Sequence, residues 1–204
     1  MARLVVTYVT TIQTASTPAA SSVAVSLRTL YFVRTAFSII WVGLVFVLAS
    51  AVTTGARPTL IAVILLTIYP AWDALATFFD VRATPTAPSH LAQYLNIVAG
   101  VAAAIGVLIA IGKGLTSALI VFGAWASISG AVQLYLALRR RRPIGGQWPM
   151  IISGGLSVVA GISFIVTATA PRTSLTTLAG YSAFGAFWYL VGAILLIRAA
   201  RRHR

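Results

Sequence analysis

The sequence predicts an all-α membrane protein of six transmembrane helices, strung as three tandem helical hairpins with both termini on the cytoplasmic side. Three observations carry this. Apolar residues make up 59% of the 204-residue chain and charged residues only 8%, against roughly 25% charged in soluble domains. Six apolar runs, at about 30–52, 59–80, 91–111, 115–138, 149–169 and 175–197, each reach the ~20 residues that cross a bilayer core. The third observation is an internal echo: residues 123–131 read GAWASISGA and residues 185–193 read GAFWYLVGA, with a looser copy at Pro70-Ala71-Trp72. Each copy lies in the second run of a pair, so the unit that repeats is a two-helix hairpin.

Residues 1–28 differ from the rest and read as a flexible tail. The short apolar stretch Leu4 to Ile12 faintly resembles a signal segment, but Thr7, Thr10 and Thr11 interrupt it. The first span carries Arg34 and Gly43, and its turn is Thr54-Gly55-Ala56-Arg57-Pro58. The second holds Asp73 and Asp80, the only two acidic residues of the chain. The third is rich in Ala and Gly, including Gly100 and Gly106, and turns through Gly112-Lys113-Gly114. The fourth carries Gly123 and Gly130 and ends in Arg139, Arg140, Arg141 and Arg142. The fifth opens on Trp148 and carries Gly155 and Gly161, spaced like Gly100 and Gly106. The sixth carries Gly185 and Gly192 and runs into the basic tail 201–204, with Arg201 and Arg202.

Short turns make each pair antiparallel neighbours. With two spans per unit, the three units share one orientation. Small residues let helices approach closely in lipid, where no hydrophobic effect separates a side chain from an acyl tail. All nine of these glycines are therefore expected at helix contacts. Trp72, Trp125 and Phe187 are expected to fill the bundle, and Trp148 to sit at an interface.

The net charge of +13 would suggest nucleic acid in a soluble protein, but its placement argues for topology. Arg3, Arg28, Arg82, Arg139 to Arg142 and the C-terminal arginines fall on one side of the spans. Only Arg57, Lys113 and Arg172 fall on the other. This bias places the termini inside and excludes a nucleic-acid partner. The bilayer itself is the partner, with Arg139 to Arg142, Arg201 and Arg202 available to anionic head groups at about 1 kcal/mol each.

An ionised group near a helix centre costs about 2.5–3.5 kcal/mol, so Arg34 and Asp73 need each other. Counted from the middle of the 51–58 turn, Arg34 precedes it by about as much as Asp73 follows it. Arg28 and Asp80 match in the same way. Antiparallel helices of equal rise then place both pairs at equal depth. The expectations are a buried Arg34–Asp73 pair and an interfacial Arg28–Asp80 pair. The first is read as a lock on the bundle, with a proton or ion relay through Asp73 as the alternative. Asn96, Gln93 and Gln133 can add hydrogen bonds between helices. There is no cysteine, His90 and His203 have no metal-ligand partner at useful spacing, and no nucleophile–base set or phosphate loop appears. Neither a cofactor nor an enzymatic reaction is implied.

The stretch from Ser129 to Pro171 resembles the HdeD-like family of small multi-pass bacterial membrane proteins. The matching positions are Gly130, Ala137 and Arg139, then Trp148, Gly155, Gly161 and Pro171. Arg34, Tyr69 and Asp73 look like that family's early arginine and second-span Tyr-x-x-x-Asp. Thr35 and Ala74 stand where glycines often follow. The resemblance implies a six-span inner-membrane protein with a link to acid resistance, or an accessory subunit of an envelope complex. A membrane partner protein or a second copy of the chain fits that role. A small transporter or channel using Asp73 is the alternative.

Overall fold

The computed structural model describes residues 18–48, 53–54, 57–85, 90–142, 146–169 and 175–202, with backbone alone at 18–22, 53–54, 57–58, 175–177 and 201–202. It contains α1 (Pro18–Val47), α2 (Leu60–Ala83), α3 (Leu91–Ala110), α4 (Leu115–Arg140), α5 (Trp148–Thr167) and α6 (Leu175–Arg202). Six segments of these helices are long and apolar enough to cross a membrane. Two short strands, β1 (Thr53–Thr54) and β2 (Arg57–Pro58), form an antiparallel ribbon that pairs Thr53 with Pro58 and Thr54 with Arg57. The ribbon closes the α1–α2 turn. Between α3 and α4 the chain tightens into a 3-10 turn at Ile111–Lys113 and reverses at Gly114, whose φ of +113° suits glycine.

Several boundaries differ from expectation. The first helix starts at Pro18 rather than residue 30 and ends at Val47 rather than residue 52, so the expected tail 1–28 is helical from Pro18 onward. Proline is well placed in a first helical turn, where its missing N–H has no partner to lose, and the alanines that follow are strong helix formers. At the other end, α6 continues to Arg202, so the first half of the expected 201–204 tail is helical too. The fourth helix extends to Arg140, which matters for the site below.

The six helices close into a ring. The short turns preserve the three hairpins in the connectivity, but the tightest packing runs across them. Helix α4 lies closest to α5, α1 to α6 and α2 to α3, while α1–α2 and α5–α6 are loose. The α4–α5 seam explains itself through glycine. A Cβ on Gly130 would stand 2.8 Å from the Gly154 carbonyl, and one on Gly123 would stand 2.7 Å from the Gly161 carbonyl. Gly100 plays the same part between α3 and α2, where a Cβ would come within 2.9 Å of the Pro70 carbonyl and of Ala74 Cβ. Gly106 and Gly192 face side chains instead, Val121 and Met150, each 3.1 Å from a would-be Cβ.

Gly43, Gly155 and Gly185 were expected in this set and do not belong to it: a Cβ on any of them meets nothing within 4 Å. The reason is periodicity. Two positions seven apart drift only ~20° on a helix, so Gly123 and Gly130 share a stripe, as do Gly154 and Gly161. Gly155 lies one residue round from that stripe. The aromatic positions diverge likewise: Trp125 is buried, Trp72 is half-buried and stacked on Phe37, and Phe187 faces outward at 53% exposure. Trp148 is exposed at the start of α5.

The interior has two apolar clusters. One gathers Trp41, Val45, Leu66, Leu119, Phe122 and Leu178 in the half nearer the β-ribbon. The other gathers Leu27, Tyr31, Ala137, Met150, Ala193 and Leu196 at the arginine-rich end. Large apolar side chains such as Ile40, Val98 and Ile109 point outward and are mostly exposed. Such a surface suits lipid, not water.

Candidate functional site

A polar layer lies between the two clusters. Along α2 and its C-cap, Asp73, Thr77, Asp80 and Thr84 recur at helical spacing and are all buried. On α1, Arg34 enters beside buried Tyr31, Thr35 and Ser38. Arg34 Nη1 donates to Asp73 Oδ1 at 2.6 Å and to the Tyr189 hydroxyl at 3.1 Å, while its Nη2 donates to Thr77 Oγ1 at 3.2 Å. The other Asp73 oxygen accepts from Asn96 Nδ2 and from Ser129 Oγ, both at 2.8 Å. Asn96 Nδ2 also donates to Thr77 Oγ1 at 2.9 Å. Tyr189 passes its hydroxyl proton toward Gln133 Oε1 at 3.0 Å, and Gln133 Nε2 donates to the Met150 carbonyl at 3.4 Å. One connected network thus touches all six helices.

Depth matching pairs Arg34 with Asp73, and the structure brings these two together. It does not bring Arg28 to Asp80. Asp80 Oδ2 is bonded instead by Arg140 Nη2 at 2.7 Å, with side-chain exposures of 14% for Arg140 and 7% for Asp80. Equal depth fixes the level of a residue but not the direction it faces. Arg28 is offset from the α1 face that buries Leu27 and Tyr31, and α1 packs only loosely on α2. The two further residues of α4 carry Arg140 to the same level, and it turns inward. Of the expected lipid-facing arginines, Arg139, Arg141 and Arg142 are exposed, Arg140 is committed to Asp80, and the side chains of Arg201 and Arg202 lie outside the described residues.

Between the two ion pairs lies a cavity of about 50 Å³ bordered by Tyr31, Thr77, Asp80, Asn96, Arg140 and Gln147. Tyr31 donates to Gln147 Oε1 across its edge at 3.2 Å. Asp80 Oδ1 and Asn96 Oδ1 are buried without a hydrogen-bond partner. Polar walls and spare acceptors make this a place for ordered water, whose share of liquid volume is ~30 Å³ per molecule. Among the described residues no cluster of three or more His, Asp or Glu side chains could hold a metal ion.

Thr77, Ser129, Tyr189 and Tyr31 belong to the site but are not singled out by the sequence, and Arg140 is singled out there only as a lipid contact. Thr77 alone carries a readable signal, one helical turn after Asp73. Ser129 and Tyr189 sit inside the two repeat copies, where glycine and aromatic spacing dominates the pattern.

Residues 95–166, from within α3 to the end of α5, match the model of DUF308, a short repeat of unknown function. The matched segment includes Asn96, Ser129, Gln133 and the whole glycine seam between α4 and α5, but not Arg34 or Asp73. No curated protein and no solved structure matches the chain. Over α3 to α5 the chain is therefore similar to the repeat family that includes HdeD-like membrane proteins.

Proposed function

We propose that this integral membrane protein is a non-enzymatic, HdeD-like component of the bacterial inner membrane, with both termini in the cytoplasm. Its role is that of a stress-related or accessory subunit that works through assembly with a membrane partner or a second copy. The observation that carries the reading is the saturation of Asp73. Both of its oxygens are engaged, by three donors from three other helices. A proton carrier has to shed its charge partner during a cycle, and a carboxylate held this way is instead a lock. Beyond it the described interior is mainly apolar around Trp41, Leu66 and Phe122, and the Tyr69 hydroxyl there is held by Ser38 and Ser182. The exposed side chains of Arg139, Arg141 and Arg142 suit anionic head groups at the cytoplasmic face.

A second reading, a small proton- or ion-coupled transporter using Asp73, draws on one fact. Arg34, Asp73, Ser129, Gln133 and Tyr189 border both the small cavity and a larger one on the other side of the layer. Asp73→Asn separates the two. The lock reading expects impaired assembly in detergent and no flux from wild-type proteoliposomes under a pH gradient. Wild-type flux that disappears in a normally assembled Asp73→Asn protein overturns it.

A further inference from the structure

The loose α5–α6 contact has a cavity of about 400 Å³ behind it. Its exposed lining residues all come from these two helices: Leu156, Val159 and Ser163 on α5 and Phe184 on α6. Helix α5 begins at Trp148, so its three positions lie roughly 12, 16 and 22 Å into the span at ~1.5 Å of rise per residue. A hydrocarbon core is about 30 Å thick. The mouth therefore opens sideways at a depth where the surroundings are lipid tails, away from head groups and water. Gly185 also borders the cavity, and a Cβ there would touch nothing within 4 Å.

The walls leave little for a polar occupant to bind. Most of the polar groups around the cavity are already bonded to one another. Asp73 has both oxygens engaged, and Ser129 is one of its donors. Tyr189 donates to Gln133, Ser157 is bonded to Tyr181, and Tyr69 is held by Ser38 and Ser182. Arg34 and Asp73 neutralise each other, so a charged ligand would be buried without a partner. An uncharged polar ligand would give up hydrogen bonds and find few free groups to replace them. The rest of the lining, with Leu156, Val159, Ala160, Phe164 and Phe184, is apolar. Hydrocarbon matches both the mouth and the walls.

We propose that this lateral cavity holds one acyl chain of a bilayer phospholipid, which enters between α5 and α6 while its head group stays at the membrane surface. The chain leaves one hydrocarbon setting for another, so close packing drives its capture, as it drives helix contacts in lipid. It completes a contact that the side chains of α5 and α6 leave open. The site goes beyond the assembly role above and stands without it.

The test uses the full chain in phosphatidylcholine vesicles whose acyl chains carry bromine at mid-chain, a short-range quencher of tryptophan, with unbrominated vesicles as the reference. Trp125 borders the cavity and is only 4% exposed. Its emission in each background is the difference between the protein with Trp125 and the same protein with Trp125→Phe. Most of that emission should be lost in brominated vesicles, and aqueous iodide should leave it unchanged. Gly185→Leu and Val159→Phe add bulk at the mouth; restored Trp125 emission in either, with unchanged thermal stability, supports the site. Total emission of wild type against Gly185→Leu gives the same comparison without Trp125→Phe. Unquenched Trp125 emission overturns the bound chain, and so does quenching by iodide, which would mean a water-filled space. Quenching that survives both mouth variants comes from lipid around the bundle and overturns the lateral site.

Discussion

The two carboxylates of the chain sit two helical turns apart on α2 and live in different worlds. Asp73 spends both oxygens on protein donors, and its arginine is itself held by Tyr189 and Thr77. Asp80 uses one oxygen on Arg140 and leaves the other buried and unbonded. Arg34 enters from the middle of α1, far from either end of the helix. Arg140 is the last residue of α4, a position from which a long side chain can snorkel to the interface. A charge with nowhere to go must be matched in place, and a charge near the helix end has an alternative. The difference teaches that the Arg34–Asp73 layer holds the bundle, while Arg140–Asp80 is a latch that can open at modest cost.

Substitutions that break the two pairs should therefore be unequal. Asp73→Ala leaves Arg34 buried and unpaired, and should cost ~3–5 kcal/mol of unfolding free energy, read by denaturant titration in detergent micelles. An effect no larger than that at Asp80 would erase the distinction. Thr77→Val keeps shape but removes the acceptor shared by Arg34 and Asn96. About 2 kcal/mol is expected from the stranded donors, measured in the same titration. Asp80→Asn should cost about 1 kcal/mol, close to one ordinary hydrogen bond, because Arg140 can swing out. Increased labelling of Arg140 by a water-soluble arginine reagent should accompany it. Arg28→Gln should stay within ~0.5 kcal/mol, as surface substitutions do, and a loss as large as that of Asp80→Asn would reinstate Arg28 as the partner.

The fold was largely legible because lipid writes in long runs. Six apolar stretches, tight turns and one-sided arginines fix helix number and connectivity with little help from individual residues. Depth was legible too, since equal rise from a shared turn pairs Arg34 with Asp73. Azimuth was not. Whether Arg28 or Arg140 meets Asp80 depends on how each helix is rotated and on which neighbours it prefers, and those follow from close backbone contacts distant in sequence. The glycine pattern shows the same limit. The six-residue spacing shared by Gly100–Gly106 and Gly155–Gly161 looks like a repeat, yet contact follows the seven-residue stripe of Gly154 and Gly161. The lateral cavity left no trace in the pattern, because it exists only where two helices fail to meet.

The ring closes by placing α1 against α6, which sets an order of events during synthesis. N-terminal segments leave the ribosome first, so α1 must wait in the bilayer with its packing face bare. Arg34 gains Asp73 as soon as α2 arrives, but Tyr189 reaches it only with the last helix made. The contact of Thr35 with the Ala186 carbonyl likewise joins the earliest span to the latest. A chain halted before its final helix would leave the first one half-dressed in lipid, an obvious target for membrane quality control.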